Sequence, residues 1–170
     1  MTDAQTWVPG PPDQRFIDDR EACPPDLDFS IDEILPVVIG AHLRAEIADR
    51  PLAERLVRLI RSWQVASLDA SDPVLVPIAC TDLWFLNDRD LMRQPCIAIG
   101  EPGVNAATAY YASRLPKTYV IEDMCAVQFD PLFLEGSVCI WGVDARSTES
   151  AVETFAQRYL DAYLRAMHGR

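Results

Sequence analysis

Apolar residues change their spacing once along this chain. From Ile34 to Ala48 they fall at helical intervals, with Ile34, Val38, Ala41, Ala45 and Ala48 on one face. Ser30 and Glu33 stand in front of that run at the spacing of a capping box. Pro36 inside it implies a kink or a later helix start. A second helix starts near Pro51, a residue suited to a first helical turn. Leu52, Leu56, Leu59, Ile60 and Trp63 line its apolar face, and Arg50, Glu54, Arg55, Arg58 and Arg61 cover the other. Residues 29–68 therefore read as a helical pair.

Past residue 72 the apolar runs shorten. Val74 to Ala79, Cys96 to Ile99, Thr118 to Ile121, Cys125 to Phe129 and Val138 to Gly142 read as strands. Thr81 to Met92 reads as a helix or helical turn. Asn105 to Leu115 reads as a helix with Asn105 as its N-cap. Thr148 to Met167 is the clearest helix, with a broad stripe that includes Val152, Phe155, Tyr159, Tyr163 and Met167. The span from Asp130 to Gly136 is too short for a crossover helix, so the strands either side of it can pair antiparallel.

Short strands alternating with helices predict an α/β fold. The expected form is three-layer: a small, mainly parallel sheet of about four or five strands with helices on both faces. Residues 1–170 read as a single domain, with an extended arm (1–28), the helical pair and an α/β core (72–170). The arm is rich in proline, yet it carries Trp7, Phe16, Ile17 and Leu27. It is expected to lie across the folded body.

Charge narrows the partners. Acidic residues number 26 and basic ones 15, for a net charge of −11, and Lys117 is the only lysine. Nucleic acid and anionic membranes are poor partners for such a surface. Residues 1–29 read as no signal peptide, and no apolar run reaches the ~18 residues of a membrane span. The five cysteines, Cys23, Cys80, Cys96, Cys125 and Cys139, include no CxxC pair. They read as buried free thiols of a reducing compartment, so the expected location is cytoplasmic.

Candidate chemistry gathers at two strand-to-helix turns. In the first, a strand stops at Gly100, a loop holds Gly103, and a helix opens at Asn105 with Thr108 in its first turn. Such a turn offers backbone N–H groups at the carboxyl edge of a sheet. Glu101 opposes phosphate there, so a neutral or polar small ligand fits better than a nucleotide. The second turn carries Asp144, Arg146, Ser147 and Thr148. Ser147 or Thr148 can cap the helix, while Asp144 and Arg146 can pair or face the same ligand.

The Ala98–Thr108 segment resembles the "VIGGPAVN…T" turn in the repeated α/β domain of archaeal surface-layer proteins. Gly142–Phe155 is similar to that domain's "GxDRxGTxxAVxxF" turn. The resemblance implies a doubly wound α/β unit with a structural or binding use, and it implies no catalytic residues.

Other residue groups suggest little chemistry. Glu122 and Asp123 are neighbours on an extended segment and point apart. Asp82, Asp88 and Asp90 lack the glycine and terminal glutamate of a calcium loop. His42 and His168 are the only histidines. His42 falls within the expected first helix, where packing is its simpler role. No catalytic residue, metal site or cofactor is expected. The favoured function is a non-enzymatic binding or assembly module that takes a protein partner or a second copy. A small-molecule enzyme using residues 99–108 and a regulatory subunit docking through the Arg50–Arg61 helix are the alternatives.

Overall fold

A computed structural model describes residues 30–69, 71–121 and 124–169. The expected arm, Cys23 and the Glu122–Asp123 pair lie outside the described residues. The capping box is present: Asp32 N–H donates to Ser30 Oγ, and Glu33 accepts from Ser30 N–H. It closes only a single 3₁₀ turn, Ile31–Glu33. The next element is a strand and not the expected helix: β1 (Ile34–Ile39), buried along its whole length. A strand covered on both faces is apolar at every position, and spacing alone cannot tell it from a buried helix. Pro36 favours the strand, because a proline pushes the residue before it, here Leu35, into extended backbone.

The chain continues through α1 (Leu43–Ala48), α2 (Arg50–Ser67), β2 (Val76–Thr81), α3 (Asp82–Asn87) and β3 (Cys96–Ile99). Then come α4 (Ala106–Ala112), β4 (Lys117–Ile121), β5 (Cys125–Phe129), β6 (Ser137–Gly142), α5 (Ala145–Arg158) and α6 (Leu160–His168). One mixed sheet of six strands runs in the order β2-β1-β3-β6-β5-β4. Its strand count exceeds the expected four or five because β1 joins the five legible in the sequence. The strands β2, β1, β3 and β6 are parallel. Both β4 with β5 and β5 with β6 are antiparallel, as the short Asp130–Gly136 span allowed. The long final helix is broken at Tyr159, whose φ of −125° and ψ of −22° leave the helical region, so α5 and α6 are separate.

Side chains alternate across the sheet as strand geometry requires. Leu35, Val37, Ile39, Ile97, Ile99, Val127, Val138 and Ile140 face α2, α5 and α6. Ile34, Val38, Cys96, Ala98 and Cys139 face α3 and α4. The small residues of that second face let Phe85, Tyr111 and Leu115 pack against it. Full burial of a side chain such as Phe155, Leu56 or Ile97 contributes about 1.5–3 kcal/mol. Among the described residues no helix is long and apolar enough to cross a membrane.

Candidate functional site

Three of the parallel strands stop at glycine where they reach the carboxyl edge. Gly40 follows β1, Gly100 follows β3, and Gly142 closes β6. At each one a neighbouring segment fills the space of a side chain. A Cβ on Gly40 would collide with Val104 O, and one on Gly142 with Thr148 N. At Gly100, where φ is +110°, it would lie 2.7 Å from Asp49 Oδ2. The glycines therefore draw three loops tightly over the strand ends.

The natural ligand crevice of this topology lies between β1 and β3. Their following helices, α2 and α4, leave to opposite faces of the sheet, which marks a switch point. Asn105 fills it. Asn105 Nδ2 donates to Val38 O at 3.0 Å and to Ile99 O at 2.8 Å. Its Oδ1 accepts from Ala107 N–H at 2.9 Å and Thr108 N–H at 3.2 Å. Both amide donors and the acceptor are thus engaged within the protein, and the side chain is buried. The residue that caps α4 also ties together the ends of two central strands.

Asp82 performs a similar task one loop away. It is buried, and its carboxylate accepts from Ala41 N–H at 2.8 Å and Ala106 N–H at 2.7 Å. Spacing alone groups Asp82 with solvated acids. Its position at a strand end, directly after a helix-capping threonine, was the available signal. Thr81 Oγ1 accepts from Trp84 N–H.

The remaining candidates divide. Gly103 sits at an open loop tip with nothing near its missing side chain. Thr108 is buried, and its Oγ1 makes no hydrogen bond. Asp144 N-caps α5 and forms a capping box with Ser147. Hydrogen bonds from the Ser147 side chain and backbone hold its carboxyl below the usual range. Asp144 also borders a small cleft with Arg44, Asp49, Glu101 and Thr148. Arg146 lines a neighbouring hollow together with Asp144, Ile121, Met124 and Ser150. Of the expected site residues only Asp144 lines the cleft; it shares the neighbouring hollow with Arg146, while Gly100 and Asn105 pack inside the same edge.

Asp49 is the residue that sequence spacing missed. It ends α1 and directly precedes α2, where it resembles an ordinary cap, yet its side chain makes no cap hydrogen bond. Only 6% of the residue is exposed. Burial raises its carboxyl to about 6, with Arg44 opposing the rise and Glu101 adding to it. Arg44 does not neutralise it directly, because its guanidinium lies 3.3 Å from Glu101 Oε1.

His42 is an exposed cap rather than a packed mid-helix residue, and its Nδ1 accepts from Arg44 N–H at 3.2 Å. His168 stacks on Trp63 with ring centroids 5.6 Å apart. Burial pushes Cys80 up to about 11 and Cys96 to about 12, so these thiols stay protonated at neutral pH. Among the described residues no three His, Cys, Asp or Glu side chains gather to hold a metal ion. A hollow of about 670 Å³ lies elsewhere, at the amino end of β2 beside Val65, Leu68, Val74 and Leu75.

Large apolar side chains border the same carboxyl edge on the outside. Leu43 and Ile47 of α1 are 73% and 70% exposed, and Leu83 and Trp84 of α3 are 61% and 53% exposed. The Ala41–Asp82 hydrogen bond joins the segment before α1 to the first residue of α3. Ile121, Met124 and Val143 are also exposed. They reach this edge because Val143 N–H bonds Met124 O beside the end of β6. Phe85 and Phe133, by contrast, are core residues. No protein-family model matches the sequence, and no curated protein matches it.

Proposed function

We propose that the protein is a non-enzymatic binding module that receives a protein partner on the carboxyl edge of its sheet. One observation carries the reading: at that edge Asn105 and Asp82 turn inward, while four large apolar side chains stand exposed beside charged groups such as Arg44 and Asp144. Asn105 and Asp82 spend their hydrogen-bonding capacity on strand ends and loop amides. Leu43, Ile47, Leu83 and Trp84 face solvent. A small-molecule pocket has the reverse character, with a concave wall and convergent polar groups. An exposed apolar rim around a filled crevice is the character of a docking face.

The net charge of −11 favours a basic partner over nucleic acid or an anionic lipid surface. The resemblance of segments 98–108 and 142–155 to a structural repeat supports a binding rather than a catalytic use. The Arg50–Arg61 helix is a weaker docking surface. Arg55 pairs with Glu149 and Glu153, Arg50 pairs with Glu46, and Arg61 donates to Pro77 O.

The test is affinity capture from an extract of the source cells, with the full chain and its Leu43→Ser/Trp84→Ser variant as baits. A captured protein is then purified and titrated calorimetrically. Binding that weakens at least roughly 100-fold in the variant, at unchanged folding stability, supports the reading. Equal binding by both baits contradicts it. A concentration-dependent dimer, abolished by the same substitutions, would instead place a second copy on the face.

A further inference from the structure

The cleft under Asp49 is separate from the apolar rim and has its own chemistry. Its cavity volume is about 10 Å³, at the lower limit for one water-sized group. Asp49 is more than nine-tenths buried. Its carboxylate packs on Gly100 and makes no hydrogen bond among the described residues. Buried carboxylates are ordinarily paired, so an unpaired one beside a cleft is unfinished chemistry. The charged groups around it are Arg44 from α1, Glu101 from the β3–α4 loop and Asp144 from the start of α5. Arg44 is held by Glu101 and the Asp144 carboxyl by Ser147, so Asp49 alone of the three carboxylates in the cleft lining has no close partner.

We propose that the Asp49 cleft is a binding site for a primary ammonium group, supplied by a lysine side chain of the docked partner. An ammonium is compact, with three donors and close to the size of water, whereas a guanidinium is a broad planar fork that the cleft cannot admit. Asp144 leaves a negative charge at the mouth, whereas Glu101 is balanced by Arg44. The rim that holds the partner's apolar residues lies along the same edge, so one segment carrying a lysine among apolar residues satisfies both. This inference rests on the docking reading for the source of the amine, but not for the site itself.

The experiment is a titration of the full ¹⁵N-labelled chain with n-butylammonium chloride near neutral pH, followed by amide NMR shifts. Saturable shifts at Asp49, Gly100 and Glu101 are expected. They should weaken roughly ten-fold or more in Asp49→Asn, because a charge-assisted hydrogen bond is lost. Tetramethylammonium and methylguanidinium chloride at equal concentration should give no such shifts. Absence of saturable shifts, or equal shifts with tetramethylammonium or in Asp49→Asn, overturns the proposal. The Leu43→Ser/Trp84→Ser variant should still take n-butylammonium. If it does while no rim-dependent partner is captured, the docking reading falls and the cleft is a free-amine site. If n-butylammonium fails while a partner still needs the rim, only the ammonium site falls. Reductive dimethylation of the captured partner should also weaken its binding, and unchanged binding would reject lysine as the source.

Discussion

Replacing Asp49 by asparagine should stabilise the protein, by an amount that depends on pH. The carboxamide keeps the shape and removes the charge. In the folded protein Asp49 loses its proton at about pH 6, and in the unfolded chain near the ordinary value of about 3.9. The folded state therefore holds a proton that the unfolded state has released. Stability attached to that proton is complete below the unfolded value and is lost as pH rises through the folded one. Linkage gives a loss of about 3 kcal/mol at pH 7.5 and about half of that at pH 5. The substituted carboxamide does not titrate, so the advantage of Asp49→Asn over the parent should grow by about 1.4 kcal/mol between those two pH values. Urea unfolding reads this directly. At a slope near 2 kcal/mol/M, the gap between the two midpoints should widen by about 0.7 M. A gap that stays constant or narrows would refute the claim that Asp49 is a buried, unpaired carboxyl.

Three further substitutions probe the edge. Asn105→Ala should cost about 3 kcal/mol or more by chemical unfolding, since it leaves buried carbonyls and cap amides without partners. Gly100→Ala should cost about 1–3 kcal/mol, from its φ of +110° and its contact with Asp49. Part of that cost should disappear in an Asp49→Ala background, and strict additivity would show that the two do not touch. Trp84→Ala should change stability by less than about 1 kcal/mol, because half of the residue already faces solvent. A larger loss by thermal unfolding would mean that Trp84 belongs to the core.

Sequence spacing captured the elements whose two sides differ. In α2, Leu52, Leu56 and Ile60 lie on the buried side while Arg55 and Arg58 cover the outside, and the helix stands where its period placed it. The segment Cys96–Ile99 was legible as a strand, and Asn105 as the cap of the next helix. β1 was not legible, because Ile34–Ile39 is buried on every side and has no polar face to set a period. The break at Tyr159 was invisible because the apolar stripe runs through it. Local motifs gave the near half of each site and not the far half. Asn105 caps its own helix, but its bond to Val38 O spans 67 residues. Asp49 carries no local signature, since its burial depends on the approach of Gly100 from another strand.

The docking face itself is tested most directly by hydrogen–deuterium exchange of the full chain with and without its captured partner. Protection should fall on α1 and α3, on residues 121 and 124, and around Asp49 and Val143. Protection confined to the outer face of α2 or to the amino end of β2, with the carboxyl edge unchanged, would contradict it.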